Sequence, residues 1–515
     1  MEKYNSTENT HRLIKSCVCN KKVSKELSLD FTLPDYQPEI KRLLRIGTEI
    51  LPPESSFGMN DCEFSGGIDY YVTYLGSDNQ MYCAPLSAEY RISIPIEDSR
   101  GLSYDGDANI SCEFVSGRVT APRKISIRSR LVAHSNIFNN VAIENEFSDG
   151  ADPSCALRLE GQVMAAVIDR GESQTVTLSD EIIPDRRDGD LRVVCAEGRA
   201  FVSETQAQSG SVSCKGDAYI KLIICADDGE IPYTVSRKLP FNLSVPVERA
   251  EAGCSVSAKG SVKELTVTVE EGRIDIEVGV FACATVGVNK PVIYTKDMYS
   301  TLCYTTCDYF SPEVLTVKGC LNTNLSVGET RTLEELKLRP DVILVDTSAV
   351  AMIESSEIVD SRARISGKIK YSLLLYCDGE YTPTEMEFPF VYSADVKDGT
   401  DMVSADCGVI TQRGRIDGER MGLDSEIYIC MSFYGKERIN ALTALHFGEL
   451  VKREGGKITV YYPSQSDSLW SVCKRYNVSS DKLIADNRQS VKVSGDVSLD
   501  SPESLAGAHH VIITA

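Results

Sequence analysis

A threefold internal repeat constrains the fold of this chain more than any other feature of its sequence. Three segments begin alike: GIDYYVTYLGSD from Gly67, GDAYIKLIICADD from Gly216 and GKIKYSLLLYCDG from Gly367. They are spaced by about 150 residues, which is far longer than one turn of a solenoid and matches the usual size of a domain. The repeats therefore predict tandem domains of similar structure within the 515 residues.

The residue pattern inside each repeat is that of β-strands. Apolar and polar residues alternate in KISIRSRL, and β-branched and aromatic residues dominate the runs between Gly, Asp, Asn and Pro. One recurring run aligns Ile127, Ile276 and Ile427, and the Asp-Gly pairs at 228–229 and 378–379 are typical of tight hairpin turns. The sequence predicts a mostly β protein with three tandem β-sandwich or barrel-like units.

A helix is predicted at one main place before the C-terminal region. The segment PEIKRLLRI at 38–46 begins with a proline and an acidic residue, which suit the first turn of a helix. Its Ile40, Leu43 and Leu44 fall on one helical face.

Four domains are predicted along the chain. The three β units are placed at 10–148, 153–310 and 313–448. The run KREGGK at 452–457 is interpreted as a flexible linker, and residues 456–515 are expected to form a smaller domain of order β-α-α-β. The first helix of that domain has four residues on one face: Leu469, Val472, Cys473 and Tyr476.

This small domain resembles the LysM family. The residues that match the family pattern are Asp467, Ser468, Leu469, Trp470, Tyr476, Asn477, Leu483, Ile484, Asn487, Gly507, Val511 and Ile513. Ser466 and Ala506 stand where the family usually has glycine and proline. The resemblance implies a binding groove between two loops, with partner or glycan contacts at Asp467, Ser468, Leu469, Trp470 and Gly507. For Trp470 a core position is favoured over sugar stacking.

Two segments of the first unit resemble the SPOCS domain family of spore-forming Firmicutes. The run DFTLPDYQPEIKRLLRI at 30–46 carries the Leu-Pro-Asp-Tyr-x-Pro-x-Ile pattern, and APRKISIRSRLVAH at 121–134 carries an Arg-Lys-Ile strand. SPOCS domains followed by a LysM domain form the layout of SipL-type spore coat morphogenetic proteins. The resemblance implies a non-enzymatic adaptor in spore coat assembly. It implies a place in the mother-cell cytoplasm at the forespore surface, where the LysM domain binds the ATPase of the coat's basement layer.

Charge and composition limit the classes of partner and the cellular compartment expected for the chain. The 75 acidic and 54 basic residues give a net charge of −21, which disfavours nucleic acid because neutralising phosphates requires clustered Lys and Arg. The polar start MEKYNSTENTHRLIK lacks the apolar run of a secretory signal, and no stretch approaches the length of a transmembrane segment. The 18 cysteines lie mostly inside apolar runs and are expected to be buried and reduced, as in a cytoplasmic protein.

Two other function classes stay open from the sequence. One is a cell-envelope protein whose LysM domain binds peptidoglycan or another glycan, and the other is a wall hydrolase anchored by LysM. The sequence has no P-loop, H-E-x-x-H or G-x-S-x-G motif, and no catalytic residue, cofactor or metal site is predicted. Cys303 and Cys307 are one of the better-spaced thiol pairs, but they lack the further ligands that zinc requires. A disulfide between them under oxidation is left as an alternative.

Two further groups of charged residues are candidate sites. Asp78, Asp227 and Asp378 recur at the same place in the three repeats, where aspartate closing its own turn is favoured over a binding role. Arg123 and Lys124, together with Lys41 and Arg42, are interpreted as a solvated face rather than as a basic contact patch.

Overall fold

The computed structural model describes a chain that is almost entirely β-structure. The described residues are 13–58, 60–96, 103–147, 156–184, 191–225, 231–270, 272–453, 455–488, 491 and 497–514. Nearly all strand pairs are antiparallel, and the two α-helices are short and lie near the C-terminus, which confirms the mostly β prediction. Within these residues no helix has the length and apolar character needed to cross a membrane.

Unit 1 contains two sheets. Its strands are β1 (Leu13–Thr32), β2 (Ile40–Ile50), β3 (Glu54–Phe57), β4 (Asp61–Gly76), β5 (Met81–Pro95), β6 (Ser103–Ala121) and β7 (Lys124–Ala142). One sheet has the order β1-β7-β6. In the other, β4 pairs with β5 on one side and with β2 and β3, one after the other, on the opposite side.

Unit 2 has the same arrangement. After the short β8 (Glu146–Phe147), its strands are β9 (Ala156–Arg170), β10 (Gln174–Ile182), β11 (Arg192–Gln208), β12 (Ser211–Cys225), β13 (Tyr233–Pro246), β14 (Ser255–Glu270) and β15 (Arg273–Ser300). The long β15 pairs with β14 on one side and with β10 and β9 on the other, and the second sheet has the order β11-β12-β13.

Unit 3 repeats the pattern without an interrupted strand. The strands from this part of the chain are β16 (Cys303–Phe310), β17 (Glu313–Thr332), β18 (Ile343–Val359), β19 (Arg362–Cys377), β20 (Glu380–Asp395), β21 (Met402–Asp417), β22 (Arg420–Arg438) and β23 (Ala441–Leu450). The two sheets of unit 3 are β17-β22-β21 and β18-β19-β20. A separate small sheet, β16-β23-β8, joins segments that follow each of the three units.

The three units share one strand order and one kind of core. In each unit a buried apolar cluster takes residues from both sheets, which is the arrangement of a β-sandwich. A buried tyrosine–serine hydrogen bond of 2.7 Å joins the sheets at Tyr70 and Ser129 in unit 1 and at Tyr371 and Ser425 in unit 3. The residue limits of the predicted domains stay a prediction.

The structure shifts the alignment of the first repeat by one residue. Gly216 and Gly367 each face the ring of an aromatic residue on the next strand, and the glycine with this position in unit 1 is Gly66 rather than Gly67. A slip of one residue would send every side chain of the strand to the opposite face, so the buried pattern fixes the alignment.

The counterpart of Ile127 in unit 3 also differs from the prediction. Because Ser129 and Ser425 hold equivalent places, the residue that matches Ile127 is Leu423 and not Ile427. Apolar residues that alternate along a strand align equally well at any even offset, so sequence similarity alone did not resolve the four-residue difference.

The helix predicted at 38–46 is wrong. These residues lead into β2, which pairs with β4 and is interrupted by two β-bulges. Each bulge inserts a residue without a direct partner, so Ile40, Leu43 and Ile46 all pack against the core of unit 1 at the three-residue spacing of a helical face. Leu44 packs in a different cluster, between the units.

Turn chemistry at the recurrent aspartates agrees with the sequence. Asp378 and Gly379 join β19 to β20 with φ of +52° and +80°, the left-handed values of a two-residue hairpin turn. The Asp78 carboxylate accepts hydrogen bonds from the Gln80 amide at 3.1 Å and the Tyr82 hydroxyl at 2.6 Å, which confirms its turn-closing role. Residues 227–229 lie outside the described part of the chain.

The C-terminal region has the predicted β-α-α-β order. Its elements are β24 (Ile458–Tyr461), α1 (Leu469–Tyr476), α2 (Ser480–Asp486), a short 3-10 helix (Pro502–Leu505) and β25 (Val511–Thr514). β24 and β25 pair antiparallel, and Leu469, Val472 and Cys473 of α1 are buried. The helical periodicity of that face is therefore confirmed.

Candidate functional site

The C-terminal module, defined as β24, α1, α2, the 3-10 helix and β25, contains the residues for which binding was predicted. Ser468 caps α1, since its hydroxyl accepts a hydrogen bond from the Ser471 amide at 3.1 Å. The Ser471 hydroxyl in turn accepts from the Ser468 amide at 2.9 Å. This capping box satisfies two N–H groups that the helix cannot satisfy itself, so Ser468 serves the start of α1.

Asp467 closes the loop before α1. Its carboxylate accepts hydrogen bonds from the Tyr461 hydroxyl at 2.6 Å and the Ser464 amide at 2.8 Å, and it pairs with Arg475 at 3.3 Å. The hydrogen bond from Tyr461, followed by that from Ser464, holds the pKa of Asp467 at about 2. The charge of this aspartate is thus used within the module.

Leu469 and Trp470 face inward. Leu469 is fully buried in the cluster that fills the module. The Trp470 ring packs edge-on against Tyr299 of β15, with 4.9 Å between centroids, and its Nε1 donates to Asp297 at 2.8 Å. Trp470 therefore fastens the module to unit 2, which agrees with the core position favoured for it.

Asp297, near the end of β15, gathers the polar contacts with the module. Lys474 Nζ lies 2.6 Å from its carboxylate, and the Tyr309 hydroxyl donates to it at 2.7 Å. Burial alone would raise the pKa of Asp297, but the hydrogen bonds from Lys474 and Trp470 lower it below its usual value. An ionised Asp297 is therefore the favoured state of the interface.

Two hydrogen bonds to backbone carbonyls complete this contact. The Tyr299 hydroxyl donates to Val478 at 2.7 Å, and the Asn477 side-chain amide donates to Ser300 at 2.9 Å. Asn477 ends α1 in the left-handed conformation, with φ of +52°, which asparagine tolerates better than most residues. The module is thus held on the end of β15 by several groups rather than by a single linker.

Of the five predicted contact residues, only Gly507 lies on the open surface. Asp467, Ser468, Leu469 and Trp470 are each at most 7% exposed. A Cβ atom added at Gly507 would meet nothing within 4 Å. The binding role assigned to these five residues stays a prediction, and the four buried side chains serve the packing and docking of the module.

A row of three exposed apolar side chains lies along β24 and the residue that follows it. Ile458, Val460 and Tyr462 are 65%, 49% and 67% exposed, and their alternation places them on one face because successive side chains of a strand point to opposite sides. We call these three residues the β24 strip. The rings of His509 and His510 lie 6.4 and 6.3 Å from that of Tyr462. The alternation in ITVYY was visible in the sequence but was not read as a surface.

A second polar site lies where the three units meet. The strands β2, β11 and β18 each carry two bulges, and Arg45, Cys195 and Asp346 follow one of them at equivalent places. Arg45 pairs with both Glu197 and Asp346. Lys221 lies 3.0 Å from Glu197 and 3.1 Å from Asp346. We call Arg45, Glu197, Lys221 and Asp346 the junction network.

The junction network is balanced in charge and closed to solvent. Its four side chains are at most 11% exposed. Burial disfavours an ionised Glu197, but Arg45 and Lys221 hold its pKa at about 2. Burial would also lower the pKa of Arg45, and the carboxylates of Glu197 and Asp346 raise it instead. The arrangement is that of a buried tie between domains.

A cavity of about 220 Å³ adjoins this junction. Charged groups of its wall pair with one another: Arg199 lies 3.6 Å from Glu49, and Lys259 lies 2.9 Å from Asp406. Burial raises the pKa of Glu49 to about 7, against the attraction of Arg199. Each pair joins residues of two different units, so the wall of the cavity is also part of the contact between them.

The thiol pair predicted on β16 is too far apart to bond. Cys303 and Cys307 lie four residues apart on one strand, which separates their Cα atoms by about 13 Å. A disulfide requires Cα atoms within about 7 Å of each other.

Arg123 has a structural role that the sequence reading missed. Its guanidinium donates to the carbonyls of Pro34 at 3.0 Å and Asp35 at 2.6 Å, and also to that of Gln37. The two segments of unit 1 that carry the family resemblance are therefore in direct contact. Arg123 clamps a loop and is not part of a freely solvated face.

One group of side chains in the described residues has ligand atoms close enough for a metal ion. These atoms belong to Asp341, Cys377 and Asp378 and lie within 4.8 Å of one another. Arg339 pairs with both carboxylates, so a protein cation already offsets part of the negative charge of the group.

Comparison with known proteins adds no relatives. The chain matches no family model, no curated protein and no solved structure. In the described residues the chain's own architecture consists of three β-sandwich units, of seven, seven and six strands, followed by a small α/β module.

Proposed function

We propose that the protein is a non-enzymatic adaptor of spore coat assembly, which binds a coat morphogenetic ATPase at the forespore surface through its C-terminal module. In this proposal the three sandwiches are SPOCS domains and the module is a LysM domain. The family resemblance of 30–46, 121–134 and 456–515 supports these assignments. The adaptor would act on the mother-cell side of the forespore, in the cytoplasm.

The β24 strip is the observation that supports a protein as the binding partner. A row of exposed apolar side chains is typical of a contact surface, and each contributes about 1–2 kcal/mol when a partner removes it from water. A glycan partner depends more on accessible polar groups and stacking aromatic rings. Trp470 is buried against Tyr299 and donates to Asp297, so it is already engaged. Within the strip, the aliphatic side chains of Ile458 and Val460 favour a protein contact, whereas the exposed ring of Tyr462 suits either partner.

Binding of the full chain to the purified coat ATPase tests this proposal. Val460→Asp puts a charge in the centre of the β24 strip, and we expect the dissociation constant to rise about tenfold or more, because a buried unpaired charge is costly. Val391→Asp is the matched control, since Val391 is 51% exposed on β20 of unit 3. Equal affinities for the two variants would contradict a contact through the strip.

Cosedimentation with purified peptidoglycan separates the alternative function. The adaptor proposal expects the chain to stay in the supernatant while it binds the ATPase. Retention on peptidoglycan without ATPase binding would instead assign the protein to the glycan-binding class of the cell envelope.

A further inference from the structure

Two cysteines from different units meet beside the junction network. Cys83 lies on β5 of unit 1 and Cys195 lies on β11 of unit 2, and their sulfur atoms are 2.8 Å apart. This separation is only about 0.8 Å longer than the S–S bond of a disulfide. A small side-chain movement would therefore bring the two atoms to bonding distance.

The strands that carry these thiols are both held in hydrogen-bonded ladders. Cys83 stands opposite Thr73 of β4, which also pairs with Arg45 of β2. Cys195 follows the first bulge of β11 and stands opposite Ile223 of β12. The contact is thus formed by regular strands at a fixed place between two units, and bond formation does not depend on the movement of a loop.

We propose that Cys83 and Cys195 form a reversible disulfide between units 1 and 2 when the protein meets a peroxide. Cys83 is the partly exposed member of the pair and Cys195 is buried, so peroxide reaches Cys83 first. The Cys83 thiolate attacks one peroxide oxygen, becomes a sulfenic acid and releases hydroxide. The Cys195 thiol then displaces the sulfenic oxygen as water. Together, two thiols and one hydrogen peroxide give one disulfide and two waters.

The bond would change how the units are held together. In the reduced protein, units 1 and 2 are joined here by the junction network and by apolar contacts that include Leu44 and Val194. The disulfide adds a covalent link between positions 112 residues apart in the chain. Such a link restricts the unfolded chain, so oxidation should raise the melting temperature and a thiol reductant should reverse the rise.

Peptide mapping of the full chain tests the proposal. After treatment with excess hydrogen peroxide and alkylation of the remaining thiols, tryptic digestion should give peptide 46–91 joined to peptide 193–199. Fragmentation should place the bond at Cys83 and find Cys62, in the same peptide, alkylated. Dithiothreitol should separate them. Cys83→Ser and Cys195→Ser should each abolish the joined peptide and the rise in melting temperature. Cys254→Ser, a control in the same unit as Cys195, should retain both.

The experiment on the wild-type chain is decisive by itself, even where a serine variant folds poorly. Complete alkylation of both thiols after peroxide treatment would mean that the contact is a thiol hydrogen bond only, and the proposal would be overturned. A disulfide between Cys83 and a cysteine other than Cys195 would overturn it as well.

Discussion

Arg45 shows how one side chain ties three domains together. It belongs to unit 1, yet its two carboxylate partners, Glu197 and Asp346, come from units 2 and 3. The partners lie 152 and 301 residues away in the chain, so no local pattern links them to Arg45. In the sequence this arginine looks like the polar position of a helix, and only the tertiary structure gives it a partner.

Removal of one carboxylate from this network should be costly. Asp346→Ala leaves Arg45 and Lys221 buried with half of their negative partners, and we expect a loss of about 3–5 kcal/mol in the free energy of unfolding. The control is Asp395→Ala, because Asp395 pairs with Arg362 at the surface and is worth about 0–1 kcal/mol. Urea unfolding measures both, and equal shifts of midpoint would refute the structural weight of the network.

Glu49 should make stability depend on pH. Its pKa is raised from 4.5 to about 7, so the folded chain binds the proton more tightly than the unfolded chain. This stabilisation is present below the unfolded pKa and is lost as the pH rises through about 7. The Glu49→Gln variant has no group that ionises at this position. We therefore expect its free energy of unfolding, relative to that of the wild type, to rise by on the order of 1–3 kcal/mol between about pH 5 and pH 8.

Thermal unfolding at several pH values measures this difference. Glu357→Gln, exposed on β18, is the control and should follow the wild type throughout. A constant difference between Glu49→Gln and the wild type at every pH would argue against a raised pKa for Glu49.

At the scale of secondary structure, the periodicity of apolar residues predicted the regular strands and the first helix of the C-terminal module. Alternation identified the strands, and the capped apolar face identified α1. The prediction failed at β2 because two bulges change the spacing of its buried residues. Bulges depend on the partner strand and on the packing of the unit, so the spacing within 38–46 alone did not distinguish them from a helical turn.

A glycine in the middle of a strand should be sensitive to the smallest substitution. A Cβ atom at Gly367 would collide with the Met352 carbonyl and the Phe390 ring, so Gly367→Ala should cost about 1–3 kcal/mol. At Gly455 the same atom would meet nothing within 4 Å, and Gly455→Ala should leave the melting temperature unchanged. Similar melting temperatures for both variants would contradict the close packing at Gly367.

At the scale of the whole molecule, the sequence predicted repeated parts but not the contacts between them. Strand order recurs in the three units, as their sequence similarity suggested. The docking of the C-terminal module depends on Asp297, which lies 173 residues before Trp470, and on side chains that look unremarkable in their own segments. The predicted contact residues were those that match the family pattern, and four of the five are buried in the structure.

The hydrogen bond between Trp470 and Asp297 should control how firmly the module docks. Trp470→Phe keeps an aromatic ring against Tyr299 but removes the N–H donor to Asp297. The lost hydrogen bond contributes about 1 kcal/mol to docking, so local opening of the module should be roughly fivefold more frequent. Amide hydrogen exchange should therefore accelerate in α1 and at the end of β15, with no change in unit 1. The control is Tyr462→Phe on the exposed strip, and equal exchange in both variants would exclude this role.

The junction network also has a consequence for folding during translation. Arg45 leaves the ribosome long before Asp346, because 301 residues separate them. At a synthesis rate of about 5–20 residues per second, unit 1 waits roughly 15–60 s for that carboxylate. Glu197, the other carboxylate partner, is made about halfway through this interval, because it lies 152 residues from Arg45. Until then the guanidinium must remain hydrated, so the face of unit 1 that later meets the other units stays open to water or to a chaperone. The final assembly of the three domains is therefore a late step that follows translation of unit 3.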